Sequence, residues 1–394
     1  MQTDSLKITL ETLQPERQAS AEPRNRLCIA ISDVHFTDGT VGTQNAEATA
    51  WKDFFSEIVS TCREDAIDDL TLLLVGDVAD MIRTAVWAQE GVYPWERTHA
   101  NFSPAPRKIM HRIADLHAGE PGQSAGHDSC GFFHHLQNLP AQLAGVRVET
   151  IVLLGNHDKE ILADPEALTI FYERCLGRKV VDLSPEYRRW IGRMYGDEKR
   201  FADPSSVPWL PFYWGDADLR LFVTHGQWRD PDNSRAVEAQ GNLPAWQVGD
   251  GWRADVWQKL DYRPFTDPCF GDTVAAGVLS TFIYQAKRKL ANLPDPELPR
   301  LMRILDELDL YRPSSDAKVE YTGQDSVLDK PNFSYINFGT WHDQIVDKEN
   351  GGYRRRGVGR ALFVQHLQKE HGKSKRYRYF VQDGIQWSDR MDQW

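Results

Sequence analysis

The chain has 394 residues and a formal net charge of −11, a balance that weighs against general nucleic-acid binding while leaving room for a local basic patch. Its five cysteines, Cys28, Cys62, Cys130, Cys175 and Cys269, are scattered and contain no C-x-x-C pair, which argues against a disulfide framework or zinc knuckle and fits reduced thiols. No apolar run approaches the roughly 18 to 20 residues of a membrane span, and the amino terminus lacks a basic-then-apolar leader, so the expected location is cytoplasmic.

The length suits one large α/β domain with insertions. Residues 1–25 read as a polar segment without a functional role. Residues 26–345 read as the domain, with insertions at about 81–149 and 227–300, and residues 346–394 as a basic strand or hairpin packed on it. Leu27-Cys28-Ile29-Ala30-Ile31 is a short predicted strand ending in Ser32-Asp33-Val34-His35. In extended backbone residues i and i+2 share a face, so Asp33 and His35 can converge on one ion. Residues 45–66 carry Trp51, Phe54, Phe55, Ile58, Val59 and Cys62 at helical spacing, a stripe read as core packing. Leu70–Val75 is a second buried strand, ending in Gly76-Asp77-Val78-Ala79-Asp80. A carboxylate directly after a glycine can approach an ion closely, which marks Asp77, with Asp80 as a supporting partner behind it.

Residues 81–149 read as a rim insertion. Their histidines (His99, His111, His117, His127, His134, His135) invite a metal reading, but none shows i, i+4 pairing, and surface or rim positions are preferred. A predicted helix over Phe132–Leu143 leads into Thr150-Ile151-Val152-Leu153-Leu154-Gly155-Asn156-His157-Asp158. Four large apolar residues led by β-branched ones suit a strand covered on both faces, and Gly155 supplies an abrupt exit. Such an exit faces the crevice where open α/β sheets hold ligands. A helix is expected over Leu162–Leu176, then a strand over Leu219–Val223 that ends in Thr224-His225-Gly226. The Trp-rich stretch 227–300 is either a lid over substrate or a small satellite core, with a helix over Thr273–Leu290. Leu301–Leu310 is helical in pattern; Lys318–Tyr321, Tyr335–Trp341 and Ala361–Val364 are predicted strands. The arginines and lysines from Arg354 to Arg378 read as a solvated basic edge hairpin, with contact to an anionic partner as the alternative.

Asp33, His35, Asp77, Asn156 and His225 together supply what a water-activating hard or borderline ion wants: carboxylates, imidazoles and a neutral amide on separate rigid strands. The four motifs in order, D-x-H, G-D-x-x-D, G-N-H-D and T-H-G, resemble four of the five motifs of the calcineurin-like metallophosphoesterases. Residues 76–83 and 225–230 are similar to the bacterial branch that includes UDP-2,3-diacylglucosamine hydrolases, although His157 stands where those enzymes tend to have Arg. The resemblance implies a four-layer αββα sandwich of two mixed sheets flanked by helices, with two divalent ions at the strand ends. It assigns Asp33 and His35 to the first ion, Asn156 and His225 to the second, and Asp77 to both. His157 would protonate the leaving oxygen or stabilise the transition state, oriented by Asp158.

The fifth motif departs from the pattern. No histidine lies between His225 and His342, and the expected G-H-x-H turn upstream of Asn337-Phe338-Gly339-Thr340-Trp341 reads Gly323-Gln324-Asp325-Ser326. Gln324 would stand in for one imidazole through its amide oxygen, Ser326 would leave its place to water, and His342 would lie outside the ligand set. Fewer imidazoles favour manganese over late transition ions, with iron, zinc or magnesium as alternatives. The expected substrate is a phosphorylated small molecule or nucleotide. A degenerate, noncatalytic binding protein and a nuclease are the rivals. Metal content with turnover separates the first, and salt-dependent DNA or RNA binding the second.

Overall fold

The structure, a computed structural model, describes residues 15, 24–42, 46, 48–118, 131–216, 218–219, 221–227, 232–235, 260–291, 298–307, 343–347, 353–368 and 376–390. Gln324, Ser326, His342, His127, Cys130 and the predicted strands at 318–321 and 335–341 lie outside them.

The described strands are β1 (Arg26–Ile31), β2 (Asp69–Val75), β3 (Arg147–Leu153), β4 (Tyr213–Asp216), β5 (Leu221–Thr224), β6 (Asp343–Asp347), β7 (Tyr353–Leu367) and β8 (Arg376–Arg390). The expected β1, β2 and β3 form a parallel set in the order β3-β2-β1. Parallel neighbours end at the same edge, so the polar exits of all three strands are delivered to one place. On the other side of β1, β7 runs antiparallel, with Cys28 opposite Val364. β6 pairs with the first part of β7 and β1 with the later part, while β8 runs along the length of β7. A separate antiparallel pair, β4–β5, makes a second small sheet.

Side chains on successive strand residues face opposite ways, and each face of the main sheet has its own apolar core. Leu27, Ile29 and Ile31 of β1 and Leu70, Leu72 and Leu74 of β2 enter one core. That face is covered by α1 (Ala48–Glu64), α2 (Pro104–His117) and α3 (Phe132–Gln142), through residues such as Trp51, Phe54, Ile109, Ile113 and Phe132. Cys28, Ala30, Leu73 and Val75 enter the other core. It is built from α4 (Pro185–Tyr195), the β4–β5 pair and the aromatic residues Tyr262 and Phe265. The apolar stripe expected on α1 is buried as expected.

Two expectations change. Residues 81–149 supply α2 and α3 to the first core, so most of this stretch is part of the domain rather than a rim appendage. The basic hairpin is not confined to the sheet edge, because β7 is an interior strand. Its Ala361-Leu362-Phe363-Val364 run is buried on both faces, Phe363 in one core and Leu362 in the other, as a continuous apolar run requires. The described cysteines Cys28, Cys62, Cys175 and Cys269 are all buried.

Candidate metal centre

β1 delivers Asp33 and His35, the central strand β2 delivers Asp77, and β3 delivers Asn156 and His157. The β1 and β2 exits stay joined beyond the strands: His35 N donates to Asp77 O at 2.8 Å, Phe36 N to Val78 O at 2.9 Å, and Asp80 N to Phe36 O at 2.9 Å. Holding them this way bends the chain into left-handed backbone at Asp33 (φ 53°), His35 (φ 47°) and Asp77 (φ 50°). Such conformations cost non-glycine residues energy, of order 1–3 kcal/mol each, and concentrate at functional sites. His225 arrives from β5, in the other sheet. It reaches Asp77 because residue 76 has no side chain: a Cβ there would lie 2.5 Å from the His225 ring. Gly155 is equally constrained, since its Cβ would sit 2.1 Å from Asp77 Oδ1. Gly155→Ala is therefore expected to displace the Asp77 carboxylate and destabilise the fold by about 1–3 kcal/mol. A thermal melt with metal titration checks this; unchanged values in both would refute the close packing.

The hydrogen bonds fix how each imidazole presents itself. His225 Nδ1 lies 2.7 Å from Val75 O, leaving Nε2 to face Asp77 Oδ2 at 3.4 Å and Asn156 Oδ1 at 3.3 Å. His35 Nδ1 lies 3.1 Å from Asp80 Oδ2, leaving Nε2 to face the same Asp77 Oδ2 at 3.6 Å and Asp33 Oδ1 at 3.8 Å. The acceptors Val75 O and Asp80 hold the proton on Nδ1 in the neutral rings, so both Nε2 lone pairs are aimed at one carboxylate oxygen. Asp77 Oδ1 is held by the His157 amide at 2.8 Å. Two overlapping groups, His35–Asp77–His157 and Asp33–Asp77–His225, have ligand atoms within 4.8 Å of one another and can hold a metal ion. Asp77 is common to both.

His157 and Asp158 separate in role. His157 Nδ1 lies 2.9 Å from Asp80 Oδ1, and its ring meets His35 edge-on with centroids 4.7 Å apart. The orienting contact expected from Asp158 is thus made by Asp80. Asp158 turns the other way: its oxygens accept from Ala79 N at 2.8 Å and Gly155 N at 3.0 Å, fastening the β3 exit to the β2 exit. The adjacency of Asp158 to His157 in sequence pointed to the wrong carboxylate. Asp80 was legible only as a supporting group, yet it serves two imidazoles and also accepts from Arg83 Nε, at 2.5 Å. Asp80→Asn has one acceptor oxygen left for two imidazole N–H groups. It should weaken metal affinity or turnover by roughly 10- to 100-fold; unaltered values in both assays would remove Asp80 from the site.

Charge and burial act against each other here. Burial favours a neutral Asp77 carboxyl, but His225, His157 and His35 outweigh it and hold Asp77 far below the usual carboxylate range. Burial and Arg83 act against a charged His35, yet Asp33, Asp80 and Asp77 raise it to about 9. Burial likewise opposes charge on His225, while Asp77 and Asp33 raise it to about 10. Burial and the Asp77 charge push Asp158 up to about 7 against the two amide donors. The metal-free protein therefore gains stability from protonated His35 and His225. That gain is fully present below their ordinary value of 6.5 and is lost as pH rises through about 9 and about 10. Ligation needs neutral imidazoles, so metal uptake releases protons and strengthens as pH rises. Melting temperatures of chelated protein should fall between pH 6.5 and 10; a rise across that window would reverse the assignment.

The site opens on one side. The side chains of Asp33 and His157 keep 32% and 18% exposure, whereas Asp77 keeps 4%, so the open side is the one that Asp33 and His157 line. Two features had no sequence signal beyond charged residues after a motif: Lys159 Nζ pairs with Asp272 at 2.7 Å, and Glu160 pairs at 2.7 Å with Arg97, which also donates to Thr266 O, so the His157 turn is clamped to the segment around 266–272. The described histidines of the 81–149 stretch join neither metal-competent group, and His117 instead bonds Thr37 O from within the core. Family models, curated proteins and solved structures were compared with the chain, and none matches. Among the described residues no helix is long and apolar enough to cross a membrane.

Proposed function

We propose that the chain is a metal-dependent phosphoesterase of the calcineurin-like kind, hydrolysing a phosphomonoester, phosphodiester or pyrophosphate with two divalent ions, manganese being the first choice. The observation that carries this is the convergence of His35 Nε2 and His225 Nε2, from different sheets, on the single oxygen Asp77 Oδ2. A buried carboxylate facing two such nitrogens calls for cations to share it, a part that protons on His35 and His225 play in the metal-free protein and that divalent ions can take over. Asp33, His35 and Asp77 would hold one ion, and Asp77, Asn156 and His225 the other. Bound there, the ions would orient a phosphate and lower the pKa of a water for in-line attack.

The remaining work falls to this chain's own groups. Asp80 fixes the His157 ring through Nδ1, which leaves Nε2 as the nitrogen that meets the leaving oxygen and delivers its proton. Asp158 keeps the β3 exit in place rather than touching substrate. The apolar cores on both faces of the main sheet support the finer reading of a four-layer αββα sandwich, with helices outermost. A cytoplasmic location belongs to the same proposal.

The test is turnover of an aryl phosphate and an aryl phosphodiester by protein stripped with chelator and then given Mn²⁺. Turnover that returns with metal is expected. Metal bound without turnover of either ester would make the chain a binding protein that keeps only the site.

A further inference from the structure

Eight large apolar side chains remain exposed among the described residues, and five of them form one patch far from being scattered: Trp95, Phe270, Val274, Val278 and Phe282, each at least 40% exposed. The last four recur every fourth residue along a helical turn at Phe270–Asp272, a π-helix at Thr273–Ser280 and the α-helix Thr281–Leu290. On an α-helix of 3.6 residues per turn, a four-residue step drifts by roughly 40°. The wider π turns counter that drift, so the four side chains rise in one ridge. The opposite side of the same rod is anchored by buried Ala276, Ser280 and Ile283. Trp95 belongs to the ridge because its ring lies against Gly277, where a Cβ would come within 2.8 Å of it. Tyr93 stacks on Trp95 with centroids 4.9 Å apart and reaches Thr281 Oγ1 at 3.1 Å.

We propose that this ridge docks on an anionic phospholipid bilayer, lying in the plane of the interface. Charge selects this occupant. In a chain of net charge −11, residues 273–291 contain no Asp or Glu, and the ridge ends beside exposed Arg288 and Lys289, while Lys287 donates to Thr40 O at 3.4 Å. Apolar side chains on a one-sided helix, aromatic rings at the boundary and a basic turn are the features that hold a helix about 5–10 Å into the headgroup region of a negative membrane. A convex ridge also presents no groove for a peptide. Because Lys159 Nζ pairs with Asp272 at the foot of the ridge, docking would hold the His157 turn at a set height above the lipid.

The full chain is sedimented with vesicles of phosphatidylcholine alone and of equal parts phosphatidylcholine and phosphatidylglycerol, at low and high salt. Binding is expected to the anionic vesicles only and to weaken with salt. The double variant Val278→Asp, Phe282→Asp should lose at least about tenfold in partitioning, and Lys289→Gln about fivefold, both with unchanged circular dichroism and melting. Should the double variant misfold, the Lys289 variant still decides. Absence of sedimentation with anionic vesicles, or variants that bind as the parent chain does, overturns the proposal. A dimer that the double variant dissociates, without vesicle binding by the parent chain, assigns the ridge to a second copy and overturns it as well.

Discussion

His157→Ala is expected to retain bound metal while lowering turnover by roughly 10²- to 10⁴-fold, the range associated with a positioned proton donor. His157 Nδ1 is committed to Asp80, its side chain keeps 18% exposure, and it stands on the open side of the site beside Asp33. Under the proposed function a group so placed meets the substrate. It also belongs to one of the two metal-competent groups, with His35 and Asp77, so the variant discriminates two roles. Turnover lost at constant metal content supports proton delivery, and metal lost in proportion to turnover makes His157 a ligand.

Asp77→Asn should have the larger effect on binding. The side chain sits on the central strand of the parallel set, one oxygen held by the His157 amide and the other facing two imidazoles. Replacing it with an amide removes the one negative charge common to both groups, and its –NH₂ would point a donor at any cation. Loss of an outer partner typically weakens metal binding by 10- to 100-fold, so loss of this shared ligand should exceed about 100-fold for both ions. The same change leaves protonated His35 and His225 without their common counter-charge, so the chelated protein should also melt lower. Unchanged metal binding would remove Asp77 from its shared position.

The sequence made the strand ends legible because each combines a run of buried apolar residues with a polar turn, and this pattern reports local structure directly. Asp33, His35, Asp77, Asn156 and His225 accordingly come together where their strands end. Which carboxylate orients His157 was not legible. Asp158 is adjacent in sequence, but the turn directs it onto the Gly155 and Ala79 amides, while Asp80 reaches His157 from the neighbouring strand exit. Strand order was equally hidden: nothing in Ala361–Val364 says that it inserts beside β1, since nonlocal pairing leaves no mark on a local pattern. The role of Gly76 became visible only with a ring from the second sheet lying over it. The ridge falls at the start of the helix expected over Thr273–Leu290, with Phe270 ahead of it, in the stretch that reads as a lid or a satellite core. Its alignment depends on π turns that apolar spacing alone does not reveal.

In the proposed function Asp77 is shared by two ions. Crystals grown with Mn²⁺ and measured for anomalous scattering test it most directly. Two peaks are expected on either side of Asp77 Oδ2, one toward His35 Nε2 and one toward His225 Nε2. A single peak, or none at Asp77 in protein that binds Mn²⁺ in solution, would contradict it.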